Sequence, residues 1–503
     1  MKIKNKLNKS IFVAVSLLTV AGAVSVGLNN INLNLNSYAD AGSFDINQLR
    51  SLVGDDNFAD CILGTLLEKT SSPTLATVNE LESLDCSKAE GTPDSEKISN
   101  VSALSYFPSL KYLNLLNNSI SQINLASNPN LISLQVQFNS LTSLDLSNKE
   151  ALDSVDANNN QLSSIDVSGS SLLENLNVSV NELSSLDVSD NVNLKNLHAS
   201  NNQLKSLNIS TSNSLELLYL SFNNLTSIDL GNKPNLVHLS IDDNNITNLS
   251  TDDNVALEQL GASGNSISSL DLSNNTNLSF LAVGDNNLSE INVTKNPKLQ
   301  VLLTGNNQIS SIDLSKNANL ERLDIYKNNI SEIDLSNNKN LADLRSDNIV
   351  VDAGLKPIIN NNKYEYDLSS LHFIEGNITG LKSGSYNTAS KILTVASPSS
   401  ENGIAQVTSD TESRSFKLKL NDTSISKPNE DEDDEEVAVP NTSSDDGGKT
   451  SLTTKKPNTG ASTKNDSNND NAMVMFITPI VISFGILLCN RLFGKNKKRK
   501  FDK

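Results

Sequence analysis

Leucine residues recur at a fixed interval through the middle of the chain. From residue 110 to residue 341, each repeat leucine follows the previous one after 21 residues, without insertion or deletion. The twelve repeat starts are Leu110, Leu131, Leu152, Leu173, Leu194, Leu215, Leu236, Leu257, Leu278, Leu299, Leu320 and Leu341. Within each unit, aliphatic residues also fill most of places four, six, eleven, fourteen and sixteen. A period of this length is typical of proteins in which each unit stacks on the next.

The alternation of aliphatic and polar residues around places four and six predicts one short parallel strand per unit. A unit of 21 residues leaves too little chain for a full α-helix on the outer side, so we expect turns, extended segments or 3₁₀ pieces there. One unit cannot bury its aliphatic side chains alone, and stability must therefore come from the neighbouring units.

An asparagine occupies the ninth place of eleven consecutive units. These residues are Asn118, Asn139, Asn160, Asn181, Asn202, Asn223, Asn244, Asn265, Asn286, Asn307 and Asn328. An amide side chain both donates and accepts, so it can satisfy backbone groups of a turn that faces the interior. The unit pattern L-x-x-L-x-[LVA]-x-x-N-x-[LI]-x-x-[LI]-D-L-S-x-N is that of the leucine-rich repeat. The predicted fold is an α/β-type solenoid dominated by parallel β-structure, a leucine-rich-repeat horseshoe.

The regions beside the repeats are expected to cover the ends of the apolar stack. Residues 42–80 are predicted to form a helical N-terminal cap, with a helix over Asp55 to Glu68 whose one face carries Phe58, Cys61, Ile62 and Leu66. Repeats are predicted over 81–348, and the first one is broken by a polar insertion. Residues 349–421 contain three alternating segments and are predicted to form a small β-sandwich.

Two cysteines lie in the predicted cap region. Cys61 and Cys86 could form a disulfide or remain as two buried thiols, and Cys489 lies far from both in sequence. The sequence has no C-x-x-C pair, so neither a zinc site nor a redox motif is predicted.

The N-terminus has the pattern of a secretory signal. Four lysines precede an apolar run from Ile11 to about Leu28. Ala39 to Ala41 is an A-x-A site, and Ala21 to Ala23 is a second candidate. We predict a signal peptide over residues 1–41, with an uncleaved membrane anchor as the alternative because the apolar run is long.

The C-terminus has three parts in a fixed order. Residues 422–460 are rich in acidic residues, Ser and Asn, and are predicted to be a disordered stalk that ends in a KPNTG motif. Within residues 461–503, an apolar run over 472–489 is long enough to span a bilayer, and a basic tail follows it at 495–500. Positive charge remains on the cytoplasmic side, so the preceding residues are predicted to be extracellular.

This order resembles a cell-wall sorting signal of the LPXTG type. The resemblance implies that a sortase cleaves between Thr459 and Gly460 and attaches Thr459 to peptidoglycan. Pro457, Thr459 and Gly460 match the motif, Asn458 fills its variable place, and Lys456 stands where an apolar residue is usual. Because an unpaired ammonium is costly to bury in an apolar enzyme pocket, membrane anchoring remains the alternative.

Charge and composition narrow the function further. The formal net charge is −19, and residues 42–460 carry 27 basic against 54 acidic residues. Such a surface repels phosphate backbones, so nucleic-acid binding is not expected. The sequence contains no Ser/His/Asp set, no activated cysteine and no phosphate-binding loop, and we therefore expect neither an enzyme nor a cofactor.

Together, the helical cap, the uninterrupted 21-residue repeats and the sorting-like tail resemble the internalin family of bacterial surface proteins. The resemblance covers most of residues 45–345 and the C-terminus. It implies an adhesin or interaction protein that binds a protein or glycan ligand on the concave face of its repeats. A structural wall component without a specific ligand and a wall-associated enzyme are the alternatives.

Places three, five and seven of each unit are predicted to face the open side of the sheet. Most are small or polar, but two groups depart from this and are the candidate ligand-binding sites. The first group is His198, Leu217, Tyr219 and His238, and the second is Phe280, Val301, Leu303, Arg322 and Tyr326. The two histidines lack a third ligand in the pattern, so no metal is predicted. Phe138 and Phe222, at place eight, are expected to be buried.

The sorting-like motif makes a prediction about the mature C-terminus. Cell-wall fragments from cells that make this protein should contain a peptide that ends at Thr459, as measured by mass spectrometry. A mature chain that continues through Gly460 into the apolar run would instead indicate membrane anchoring.

Overall fold

A computed structural model describes residues 46–421, with gaps at 71–74, 348, 375–376, 380, 382–383, 399–403 and 409–415. The α-helices of these residues are α1 (Ile46–Val53), α2 (Asp56–Lys69) and α3 (Leu75–Asn79), and two 3₁₀ helices span Asp94–Glu96 and Ser102–Tyr106.

The strands are short, and most contain three residues. In chain order they are β1 (Ser83–Asp85), β2 (Tyr112–Asn114), β3 (Ser133–Gln135), β4 (Ser143–Asp145), β5 (Ser154–Asp156), β6 (Ser164–Asp166), β7 (Asn175–Asn177), β8 (Asn196–His198), β9 (Leu217–Tyr219), β10 (His238–Ser240), β11 (Gln259–Gly261), β12 (Phe280–Ala282), β13 (Val301–Leu303), β14 (Arg322–Asp324), β15 (Glu332–Asp334), β16 (Asp343–Arg345), β17 (Val350–Asp352), β18 (Ile358–Asn360), β19 (Lys363–Asp367), β20 (Asn377–Thr379), β21 (Ser385–Asn387), β22 (Ile392–Val395), β23 (Ile404–Thr408) and β24 (Phe416–Lys419).

One parallel sheet runs through the whole repeat region. Its thirteen strands follow the order β1-β2-β3-β5-β7-β8-β9-β10-β11-β12-β13-β14-β16. From β2 onward, each residue lies opposite the residue 21 places later, as Leu134 does opposite Val155 and Leu302 opposite Leu323. The middle residue of each strand is buried, and stacking these side chains builds the core. The predicted parallel solenoid is therefore confirmed.

The outer side of the repeats contains turns and a few extended pieces. Strands β4 and β6 form a two-stranded parallel sheet, and Asp187 and Asn208 form a single parallel bridge beside it. Residues 80–347, all of which the structure describes, contain no α-helix. This matches the expectation from the short unit, because a helix would need more chain than the outer side of each turn provides.

The ninth-place asparagines connect consecutive repeats. The Nδ2 atom of Asn181 donates to the carbonyl oxygens of Ala157 and Val178, at 3.0 Å each, and its Oδ1 accepts from the backbone N–H of Leu162 at 2.9 Å. The same pattern recurs at the other ninth-place asparagines, for example Asn244. Each amide thus satisfies backbone groups that the turn leaves without partners in the apolar interior.

A second ladder of buried amides occupies the nineteenth place. The Nδ2 atom of Asn254 donates to the carbonyl oxygens of Leu230 and Lys233, at 3.1 Å each, and its side chain is fully buried. The sequence pattern contained this asparagine, but only the structure assigns its role. Lys149 and Lys233 replace it in two units, and burial lowers the pKa of both ammonium groups.

The N-terminal cap forms as predicted around helix α2. The side chain of Asp55 accepts from the backbone N–H of Phe58 and caps the helix. Phe58, Ile62 and Leu66 are buried on one face, against the end of the repeat stack. A disulfide joins Cys61 to Cys86, directly after β1, and so links the cap helix to the first strand of the sheet.

At the other end, two sheets form instead of further repeats. One has the order β15-β17-β24-β23-β20 and the other the order β18-β19-β22-β21. Tyr366 is fully buried, and its hydroxyl donates to the carbonyl oxygen of Asn421 at 2.7 Å. Strand β15 lies within the last repeats yet pairs with β17. The C-terminal region therefore shares a sheet with the repeats and does not begin cleanly at residue 349.

The predicted signal peptide, acidic stalk, sorting-like motif and apolar run at 472–489 lie outside the described residues. Within the part of the chain that the structure describes, no helix is both long and apolar enough to cross a bilayer.

The ladder geometry makes a stability prediction. Replacing Asn181 with Ala leaves the backbone N–H of Leu162 without its partner and removes one of the two asparagine donors to each of the carbonyls of Ala157 and Val178, so the unfolding free energy should fall by about 3 kcal/mol. Urea denaturation followed by circular dichroism measures the change. The matched control is Asn235→Ala, at an exposed turn position, which should change stability by less than about 0.5 kcal/mol. Equal effects in the two variants would contradict the proposed role of the ladder.

Candidate functional site

The open face of the thirteen-stranded sheet presents places three, five and seven of each unit. In most of its strands the middle side chain is buried and at least one flanking side chain is half-buried. Because strands β8 to β14 and β16 follow one another in the sheet, side chains from successive units lie about 4.8 Å apart along this face. The sheet therefore holds both predicted groups on one rigid surface.

The first group is compact around Tyr219. The ring of His198 stacks on that of Tyr219, with centroids 4.5 Å apart, and the ring of His238 lies 6.4 Å from it on the other side. The Tyr219 hydroxyl oxygen is 3.5 Å from Nδ1 of His238. Leu217 lies directly opposite His238 in the sheet register and completes the group. The structure thus brings all four predicted residues together.

Burial changes the protonation of this group. It lowers the pKa of both His198 and His238, because their charged forms lose solvation; for His238 the nearby Glu258 partly offsets the effect. Burial raises the pKa of the Tyr219 hydroxyl for the same reason. At neutral pH the group is therefore an uncharged aromatic surface.

The second group forms three adjoining rows, at places three, five and seven. Phe280, Val301 and Arg322 occupy consecutive strands in register, and Leu303 lies one row further along the strands. Tyr326, at place seven, lies beside two cationic side chains. The Arg345 guanidinium is 4.7 Å from the centroid of the Tyr326 ring, and the Lys327 ammonium is 5.5 Å from the same centroid. The structure places these predicted residues together as well.

Ion pairs border the second group, and they were not anticipated from the sequence. Nε of Arg322 is 3.2 Å from a carboxylate oxygen of Asp343, and Arg345 donates to Asp324 at 2.8 Å. Each pair joins residues of neighbouring strands. The only sequence signal that could have found them is the 21-residue offset between oppositely charged residues at the same place.

Small residues lie beside the second group. Place seven is glycine in two successive units, at Gly284 and Gly305, and therefore carries no side chain there. A Cβ atom at Gly305 would lie 3.0 Å from Oδ1 of Asp324, and one at Gly284 would lie 3.1 Å from the carbonyl oxygen of Gly305. A larger residue at either position would therefore require its neighbour to shift by a few tenths of an ångström.

Only one strand separates the two groups. Gln259 of β11 lies between His238 and Phe280 in the sheet register. The groups thus form one continuous surface from β8 to β14, which we call the binding ribbon; it consists of His198, Leu217, Tyr219, His238, Phe280, Val301, Leu303, Arg322 and Tyr326. From β3 to β7, by contrast, places three, five and seven hold only Ser, Asn, Gln and Asp.

Among the described residues, no group of three or more His, Cys, Asp or Glu side chains is arranged to hold a metal ion.

Phe138 and Phe222 correct one expectation. They were predicted to be buried, but Phe138 is 52% exposed and Phe222 is half-buried. At place eight the chain leaves the strand with a positive φ, 56° for Phe138 and 58° for Phe222, which turns the side chain away from the core. The next positions belong to the ladder asparagines, of which Asn223 is buried and Asn139 is half-buried.

Comparison with known proteins supports the fold. No protein-family model matches the chain, and no curated protein sequence matches it. Among solved structures, the functional domain of InlJ from Listeria monocytogenes is similar with a TM-score of 0.51 and 24% identity, covering 74% of this chain and 97% of that one. The internalin InlF from the same organism is similar with a TM-score of 0.51 and 22% identity, covering 62% and 92%. The chain has a leucine-rich-repeat fold like theirs.

The lowered pKa values of His198 and His238 make a pH prediction. The folded chain binds fewer protons than the unfolded chain between the lowered pKa values and the ordinary histidine value of about 6.5, so stability should decrease as the pH falls through this window. Denaturation at pH 7 and pH 5.5 measures the loss. The variant His198→Gln plus His238→Gln should lose less stability, whereas the exposed His372→Gln should behave like the parent.

Proposed function

We propose that this chain is a cell-surface interaction protein that binds another protein through the binding ribbon. The observation that carries the proposal is the contrast along the open face. Half-exposed aromatic and aliphatic side chains cluster from β8 to β14, while strands β3 to β7 expose only polar residues at the same places. Stability of the repeat does not require apolar residues there, and exposed apolar clusters with a polar border are typical of contact sites.

The chemistry of the ribbon suits a protein ligand. Tyr219, Phe280 and Tyr326 offer large rings of low conformational entropy, and aromatic residues and Arg dominate binding energy at interfaces. The ion pairs of Arg322 and Arg345 at one end provide both signs of charge, which favours a partner with its own mixed charges. A glycan would use the rings but would leave most of this charge pattern unmatched.

The proposed location rests on the two ends of the chain. The signal-like N-terminus and the sorting-like C-terminus favour export followed by attachment to peptidoglycan through a sortase. The Cys61–Cys86 disulfide is consistent with an oxidising exterior. The repeats would then display the binding ribbon outside the cell.

Two other functions make different predictions. A purely structural wall component needs no apolar ribbon, and its ribbon variants would behave like the parent in every binding assay. An enzyme would need a nucleophile, an acid–base pair or a metal site; within the ribbon only Tyr219 and His238 could act as acid and base, and neither a nucleophile beside them nor a metal site accompanies them. The ribbon therefore favours binding over both alternatives.

The test uses the purified full-length chain as bait against cell-surface protein extracts, with affinity for the captured protein then measured by biolayer interferometry. Replacing Phe280 and Tyr326 together with Ser should weaken binding by about 100-fold, because two aromatic anchors are removed. The control Tyr112→Ser lies on the same sheet outside the ribbon and should bind like the parent. Equal binding by all three chains would exclude the ribbon as the binding site. Capture of glycans alone would exclude a protein ligand.

A further inference from the structure

A second surface lies on the edge of the repeats, outside the binding ribbon. It is formed by place eight of five consecutive units, which we call the rim: Phe138, Asn159, Val180, Asn201 and Phe222. All five have nearly the same backbone conformation, with φ of 56°, 53°, 56°, 55° and 58°. Each donates its backbone N–H to the following unit, as Phe138 does to the carbonyl oxygen of Asn158 at 3.1 Å. The rim is therefore a rigid ladder of regularly spaced side chains.

The residues at three of these positions are unfavourable for folding. A positive φ suits Gly, Asn or Asp, and Asn or Asp indeed fills this place at Asn117, Asp243, Asp285 and Asn306. A β-branched valine is strained in this conformation, yet Val180 is 44% exposed and Phe138 is 52% exposed. Phe138 and Val180 gain little from burial and strain the backbone, so packing within the chain does not account for them, whereas Phe222 is half-buried.

The order of residues on the rim reads the same in both directions. Phe, Asn, Val, Asn and Phe follow one another with Val180 at the centre. Since neighbouring strands are about 4.8 Å apart, successive apolar side chains are separated by about 10 Å. The rim of a second copy, rotated by 180°, presents the same residues with the same spacing and in the same order. A two-fold contact requires such self-complementarity.

The distribution of charged residues also allows two copies to associate through the rim. The chain is strongly acidic, and two copies repel each other over most of their surfaces. At places seven, eight and ten from residue 116 to residue 224, however, the only charged residue is Glu182, which is exposed. Apart from Glu182, which follows Val180 by two residues and brings one negative charge from each copy near the centre of the strip, the rim is uncharged, so two copies repel each other less here than over most of their surfaces.

We propose that the rim is a self-association surface that binds a second copy of this chain in antiparallel orientation. The two-fold axis passes beside Val180, so Val180 contacts its equivalent and Phe138 contacts Phe222 of the other copy. The strip is only about 20 Å long, so it buries less than a standard interface and the dimer is weak. An antiparallel pair sends the two C-terminal ends in opposite directions, which suits chains on two facing cells if the anchoring proposed above holds.

Cysteine cross-linking tests the orientation. All chains carry Cys489→Ser to remove the unpaired cysteine. Under mild oxidation, Val180→Cys should form covalent dimers, because the two thiols meet at the axis. Asn159→Cys alone should not, because its two copies are about 10 Å apart, beyond the reach of a disulfide. Mixing Asn159→Cys with Asn201→Cys chains should restore cross-linking, because these positions face each other.

Sedimentation tests the association without cross-linking. The parent chain should show a concentration-dependent dimer with Kd on the order of 10–100 μM. Phe138→Asn plus Phe222→Asn should weaken it at least about tenfold. Asn fits this backbone conformation, so the variant should fold. The control Val192→Asn removes a valine that is 46% exposed elsewhere and should dimerise like the parent.

Several results would overturn the proposal. One is a parent chain that stays monomeric at about 1 mM, well above the expected Kd. Another is equal cross-linking of Val180→Cys and Asn159→Cys, which would indicate random collision or a parallel pair. Dimerisation of the Phe138→Asn plus Phe222→Asn variant with the same Kd as the parent would also overturn the proposal. None of these results depends on the binding ribbon, whose own test uses Phe280 and Tyr326.

Discussion

The hydrogen bonds of buried asparagine side chains to the backbone are the interaction on which this structure depends. Each turn of the solenoid directs backbone carbonyls and amides into an apolar interior, where an unpaired polar group is costly. The amides at places nine and nineteen supply the missing donors, as Asn181 and Asn254 do, and Asn181 supplies an acceptor too. These hydrogen bonds connect consecutive units and hold equivalent residues 21 places apart beside each other. The aliphatic side chains of neighbouring units can then pack together and become buried.

The residues on the open face can vary, because the core and the backbone hydrogen bonds depend on other places of the unit. Places four and six build the core and places nine and nineteen satisfy the backbone, so neither function depends on the side chains at places three, five and seven. Their side chains are nevertheless held rigidly, because they belong to a continuous sheet. Large apolar residues at some of these places, such as Tyr219 and Phe280 on the ribbon, and at place eight, such as Val180 on the rim, are therefore the basis of the two binding proposals.

Much of the candidate site could be predicted because the repeat fixes the geometry. Once the period is known, residues 21 apart must be neighbours, and the grouping of His198 with Tyr219 and of Phe280 with Val301 follows. The stacking of the His198 ring, the cation beside Tyr326 and the ion pair between Arg345 and Asp324 could not be predicted. They depend on side-chain rotamers, which the backbone period does not determine.

The sequence by itself determined the register of the sheet, the number of stacked units and the cap helix, because each follows from local periodicity and helix-capping chemistry. The tertiary structure decided what happens where two requirements compete. At place eight the backbone must turn with a positive φ, and this requirement overrides the tendency of Phe138 and Phe222 to be buried. At the C-terminal end, β15 pairs with β17, and only packing across the sequence boundary determines that contact.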